Sequence, residues 1–557
     1  MIATLLIWIY AGTLFYLYGA AGLGLLRRWL GGEHTQPVGL PLTIVFGMAL
    51  VTALATGLSL FIPLGPASAM ILLAVGILLA AAAGVRPAWR LRWPQGAEWW
   101  AVLIMGLTLT VCLESGTRPP SNPDTNSYHA QTIRWIESYA AVPGLGNLYG
   151  RLAYNSSWLL LNAAFSLAFL QLRSFHVMGG LIFLVAMLHF AGGLPGLLRG
   201  EHTIANWMKI AFIPAAFWIL PGELSSPGTD LPAILLTWVL LSSLIEFESS
   251  TADDPLHTLT LATVPAVMTV FKLSSAPIAL VSFYLVARSF ARGQRHLAWV
   301  TLSVLALVVV PWMARSVVLS GYLVYPYPQV DLFQLDWKVP ATDAVGVRNG
   351  ILGWARLPDR NWADALQLPA SAWIPEWLRQ RTGNQLLMLG MALVAPFAVM
   401  PRSNRRFALP VLSAYAGMLV WFIGAPNWRF GYGVVLGLAA FAAAALWAMV
   451  GQAFVGGARR GAARGAVALL SAYLVVAVAM SVDGAKVRER ILLPADYYPS
   501  RATACDVDGL QIYCAEVNLQ CSYFAFPCVP GVSQTTHARG AALSGGFYAA
   551  EPATGMP

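Results

Sequence analysis

Apolar stretches of about 20 residues, each long enough to cross a hydrocarbon layer as a helix, recur along most of this chain. They are read at about residues 2–24, 40–62, 67–85, 99–115, 175–198, 206–220 and 229–247, then at 257–271, 276–291, 297–319, 384–400, 406–424, 430–450 and 465–482. A chain with about 14 spans has one fold class open to it, an all-α integral membrane protein, because in lipid every backbone polar group must be satisfied within the protein. Composition agrees: of 557 residues 58% are apolar and 11% charged, whereas soluble domains run near about 25% charged. The net charge of +9 does not point to nucleic acid, since Lys and Arg fall in small clusters between apolar runs.

Those clusters give an orientation. Alternate short loops carry Arg27 and Arg28; Arg86, Arg90 and Arg92; Arg199 and Lys209; Arg288, Arg292 and Arg295; Arg402, Arg405 and Arg406; and Arg459, Arg460 and Arg464. Positive charge is retained on the cytoplasmic side, so the long stretches 116–174, 320–383 and 483–557 face outward. No Lys or Arg precedes Arg27, so the first stretch reads as a retained span with Met1 outside. The parity requires that residues 158–172 form a re-entrant or interfacial helix; in the alternative they span and another segment does not. Outer interfacial helices complete a membrane domain over 1–482, followed by a small extracytoplasmic domain over 483–557.

That last domain holds Cys505, Cys514, Cys521 and Cys528. Outside the cytoplasm four cysteines imply two disulfides, with three pairings possible. The local one, Cys505 with Cys514 and Cys521 with Cys528, is preferred to a zinc site, for which the spacing lacks a close chelating pair. Cys112 lies in an apolar run.

The richest polar stretch is PPSNPDTNSYHAQTIRWIESYAAVPGLGNLYGRLAYNSSW. After its turn residues, Asp124 is followed by Tyr128, Ile133, Trp135, Ile136 and Tyr139 at roughly helical spacing. This predicts an amphipathic helix along the outer membrane face, with Arg134 and Glu137 on its polar side. Asp124 reads either as an N-cap or as a carboxylate facing a lipid-linked substrate, and a helix-start Asp can do both. Asp230 in SSPGTDLPAILL poses the same choice. Lys272, Arg315 and Arg429 sit at outward membrane boundaries, where cations commonly face a polar cavity or snorkel. Asp331, Asp336 and Asp343 in the loop 320–383 are candidates for a divalent cation, with solvated loop carboxylates as the plainer reading. No HExxH, CxxC, Walker or GxGxxG motif is present.

The order D-x-x-x-Y-H, interfacial helix, W-I, then V-P and a return to the membrane is similar to the GT-C superfamily of glycosyltransferases. The aminoarabinose and protein mannosyl transferases are its nearest well-known shapes, and uncharacterised bacterial branches resemble the motif more closely. The resemblance implies transfer of a sugar from a polyprenyl phosphate to a glycan, lipid or protein acceptor outside the cytoplasm, in a bacterial cell membrane, with membrane lipid and no nucleic acid among its partners. It gives Asp124 the role of catalytic base, with inversion at the anomeric carbon, and Asp230 that of a second acidic residue at the same cavity. Tyr128 and Arg151 fall in the same stretch as substrate-binding candidates, His129 would bind the acceptor or the phosphate or else simply cap the aromatic face, and Lys272, Arg315 and Arg429 would meet the carrier phosphate. Where aminoarabinose transferases carry Lys-Pro-Pro, this chain has Tyr154, Asn155 and Ser156. A lipid-linked glycan flippase, or an O-antigen polymerase or ligase, would share the location and the carrier.

Overall fold

A computed structural model describes residues 1–30, 36–85, 93–170, 174–250, 254–452, 456–482, 484–517 and 519–550. The chain is an all-α integral membrane protein with a small C-terminal sheet unit. Eleven helices among the described residues are long and apolar enough to cross a membrane, from Ile2–Trp29 to Gly461–Ser481. Four apolar helices are shorter: Ser157–Leu170, Ile204–Ile219, Pro255–Phe271 and Gly383–Val399. The expected basic loop at 86–92 lies outside the described residues.

Small residues set the closest helix crossing. A Cβ on Gly19 would fall 2.0 Å from the carbonyl oxygen of Thr43, and one on Gly47 would fall 1.7 Å from that of Phe15. The helices Ile2–Trp29 and Leu40–Leu58 therefore pack backbone to backbone, as lipid-embedded helices do when side chains are absent at the contact. The helix Asp230–Ser249 lies at the centre of the bundle, 94% buried.

Among the described residues of 158–172, the α-helix runs over Ser157–Ala164 and a 3-10 turn follows at Ala168–Leu170, while 171 and 172 lie outside the described residues. Eight residues reach about 12 Å, well under the hydrocarbon thickness, and all of them are buried in protein. The predicted amphipathic helix is Ala130–Ser138, preceded by a π-helical turn Thr125–His129. Its aromatics do not face lipid: Trp135 is buried, packed on Phe526 and Phe547. The C-terminal unit covers the face that amphipathicity alone assigns to the membrane surface.

That unit is built on a hairpin of Ala502–Val507 and Leu510–Ala515, turned at Asp508 and Gly509, both with positive φ. Asp-Gly suits such a turn because its twist matches that of the strands. Cys528–Val529 adds a short parallel strand, and Thr536–Ala538 pairs with Phe547–Ala549. Disulfides join Cys505 to Cys514 and Cys521 to Cys528, the local pairing expected, while Cys112 is free and buried.

Candidate functional site

Three interruptions of regular helix bring the charges together. After Asn122, whose side chain accepts from the Asp124 amide at 2.9 Å, the chain enters the π turn at Asp124. The helix Pro255–Phe271 stops at Lys272, whose backbone is extended before a 3-10 segment begins. Ala425 is extended after the helix Ala408–Gly424, and Asn427 then accepts from the Arg429 amide at 3.0 Å. Each break carries a charged side chain to one place.

Neither carboxylate caps its helix: Asp124 stands at the N-cap position of the π turn but its side chain makes no cap hydrogen bond, and Asp230 is already the first residue of its helix. Both bind cations instead. Arg429 Nη2 donates to Asp124 Oδ2 at 2.7 Å, and its Nε lies 2.8 Å from Asp230 Oδ2. Arg151 Nη1 reaches Asp124 Oδ1 at 3.5 Å, and Lys272 pairs with the other oxygen of Asp230. Three cations against two carboxylates leave one positive charge in excess among these five groups. Phe430 floors the cluster, its ring centroid 4.0 Å from Lys272 Nζ and 5.1 Å from the Arg429 guanidinium. A small cavity continues inward past Thr237 and Trp421.

Burial pushes the Asp124 carboxyl up, but the positive groups beside it, His129 first and then Arg429 and Arg151, more than reverse this and hold it below its ordinary range. His129 is also close. Its own burial pulls its pKa down to about 4. His129 is buried, with Nδ1 3.4 Å from Thr125 Oγ1 and Nε2 without a hydrogen-bond partner among the described residues. Tyr128 packs edge-on against both His129 and Tyr154, under the Arg151 guanidinium.

Arg315 does not join this set. Buried in its helix, it gives Nη1 to Asn155 Oδ1 at 2.9 Å, and Asn155, at φ 51°, exchanges hydrogen bonds with Trp312. It therefore ties the helix Arg295–Ser320 to the Tyr154-Asn155-Ser156 turn. The loop aspartates do not converge either: Asp331 pairs with Lys338 and Asp336 with Arg539. Among the described residues no group of three or more His, Cys, Asp or Glu is placed to hold a metal ion. Sequence reasoning missed Asn122 and Glu223, joined at 2.9 Å beside the cluster; the turn signal around Asn122 was visible, its partner was not.

A larger cavity, about 470 Å³, surrounds Lys209, Glu246 and Asp254. It lies at the other ends of the helices that begin at Asp230 and finish at Phe271, about 24 Å away by helical rise. Its charges are satisfied structurally: Lys209 donates to Glu246 at 2.7 Å, and Asp254 caps the helix Pro255–Phe271. The smaller, charged site is the better candidate for chemistry, because its cations share carboxylates that a ligand can displace.

The His129 environment has a measurable consequence. Between pH 6.5 and about 4 the unfolded chain binds a proton that the folded protein excludes, so stability falls as pH falls through this window. Replacing His129 by Gln is expected to remove about 1 to 2 kcal/mol of the stability lost between pH 6.5 and 5. Thermal melts of wild type and variant at both pH values check this, and parallel losses would refute it.

No curated protein matches the sequence. Among solved structures, the chain is similar to the apo oligosaccharyltransferase of Archaeoglobus fulgidus, at 14% identity and a TM-score of 0.37. It is also similar to the oligosaccharyltransferase AglB of that organism in complex with an inhibitory peptide and a dolichol-phosphate, at 14% identity and a TM-score of 0.34. Each comparison covers 72% of this chain and 60% of the other, so the chain spans less than two thirds of those proteins. Residues 1–436 match the profile of a family described as "Domain of unknown function (DUF8201)", and the chain belongs to that family.

Proposed function

We propose that this protein is a GT-C-type membrane glycosyltransferase that takes a sugar from a polyprenyl phosphate and passes it to a hydroxyl of a glycan, lipid or protein acceptor. The observation that carries the reading is the sharing of Arg429 between Asp124 and Asp230, with Lys272 beside them. In the resting site Asp124 is ionised but too weak a base to be useful, because two guanidinium groups stabilise its charge. A carrier phosphate competes for the same cations. When it draws Arg429 and Lys272 toward its oxygens, Asp124 loses part of that stabilisation and its basicity rises as the donor arrives.

In the reaction the acceptor oxygen bonds to the anomeric carbon while the bond from that carbon to the phosphate oxygen breaks. The acceptor proton passes to Asp124, and the leaving phosphate keeps the electron pair, its charge met by Lys272 and Arg429. Attack from the face opposite the phosphate inverts the anomeric centre. Asp230 anchors both cations, and the three charges in mutual contact fix where the phosphate sits. The same face of the membrane would be the extracytoplasmic one, as the distribution of Lys and Arg suggests.

Titration of undecaprenyl phosphate into the protein in lipid nanodiscs tests the reading. Saturable binding is expected, weakened about tenfold in Lys272→Gln, the loss of one hydrogen bond to a charged group. Binding no stronger than that of phosphatidylglycerol would refute it.

A further inference from the structure

The helix that follows Asp124 uses a second set of side chains, none of them in the charged cluster, and they converge on one loop. Cys521 and Cys528 close the segment SYFAFP into a ring. Four consecutive carbonyls of that ring accept hydrogen bonds from two side chains of the helix Ala130–Ser138. Gln131 Nε2 donates to Ser522 at 2.9 Å and Ala525 at 2.7 Å, and Arg134 Nη1 donates to Tyr523 at 2.6 Å and Phe524 at 3.1 Å. In return, the amide of Cys528 donates to Gln131 Oε1 at 2.9 Å, and that of Ser522 donates to the carbonyl of Asn126, inside the π turn, at 2.7 Å. Gln131 is fully buried, and the Arg134 guanidinium lies over the rings of Tyr523 and Phe526.

We propose that the disulfide-closed loop 521–528 is a clamp that positions the Asp124 segment, with Gln131 and Arg134 as the positioning residues through which it acts. The inference rests on the reading of Asp124 as the base. A helix of nine residues is too short to hold its own orientation, and the π turn before it is a rarer, less stable form. Its direction must be imposed from outside. On one side Asp124 is held by Arg429 and Arg151, contacts that an arriving phosphate disturbs. On the other side the clamp touches none of the charged groups, so it persists when those contacts change. Closing the loop covalently leaves its carbonyls fewer arrangements to lose on meeting the helix. Gln131 is specific to the task, since it donates twice and accepts once in the same place.

Hydrogen–deuterium exchange of the full-length protein in detergent tests the clamp. In Gln131→Leu, and in the double variant Cys521→Ser with Cys528→Ser, the amides of residues 124–129 are expected to exchange about tenfold faster than in wild type. Arg134→Ala should act in the same direction and Arg134→Lys should stay close to wild type. If the double variant does not fold, Gln131→Leu and the Arg134 pair decide alone. Faster exchange confined to residues 496–548, or none at all, would overturn the proposal, since a merely structural dock would loosen the C-terminal unit and leave the Asp124 turn unchanged. Failure of wild type to bind undecaprenyl phosphate would remove the base assignment, and the exchange result would still decide the clamp.

Discussion

Asp124→Asn is expected to lower sugar transfer by roughly a thousandfold or more, within the range that general bases contribute, while undecaprenyl phosphate binds at least as tightly as before. The two effects separate because Asp124 has two roles in the site. As a carboxylate it receives the acceptor proton, which an amide cannot do. It also competes with phosphate for Arg429, which it holds at 2.7 Å. An amide oxygen competes less well, so the carrier gains access to the guanidinium as turnover is lost. Folding should survive, because Arg429 keeps its contact with Asp230. Transfer measured from a polyprenyl-phosphate-linked sugar, beside a carrier titration on the same preparation, gives the decision: retained turnover would end the base assignment.

Arg429→Gln has the second largest expected effect, and it falls on both binding and stability. Carrier affinity should drop by roughly ten- to a hundredfold, as loss of a charge-assisted contact implies. Stability should fall by about 1 to 3 kcal/mol, the cost of leaving partly buried carboxylates without their donor. Arg429 joins the turn that bears Asp124 to the buried helix that bears Asp230, and removing it leaves two carboxylates facing each other with Lys272 and Arg151 alone to offset them. Thermal melts and carrier titration read the two losses separately. Unchanged carrier affinity beside lowered stability would make Arg429 a structural strut, and the phosphate site would then have to be sought elsewhere.

The membrane character of the chain was legible because it depends on composition and on runs of one residue class, which need no knowledge of partners. The charged residues were legible for a related reason: Asp124, Asp230, Lys272 and Arg429 stand out against apolar surroundings. What each one touches was not. Asp124 and Arg429 are separated by 305 positions, and the local pattern around a helix-start aspartate is the same whether it caps its helix or bonds a distant arginine. Arg315 shows the opposite failure. It looks like Lys272 and Arg429 in sequence, yet a neighbouring turn in space takes it up through Asn155. The amphipathic helix was found from its periodicity, but an apolar face signals only that something covers it. Here the cover is the C-terminal unit, through Trp135, Phe526 and Phe547.

The hydrogen bond from Gln131 to Ser522 spans 391 positions, and this separation sets the order in which its two partners are made. At translation rates of about 5 to 20 residues per second, the partner of Gln131 is made roughly 20 to 80 seconds after it. Through that interval the intervening membrane segments are made, while the Asp124 helix waits without the unit that covers Trp135 and binds Gln131 and Arg134. The folding back of the C-terminal unit and the closure of its two disulfides therefore come after the Asp124 helix has been made.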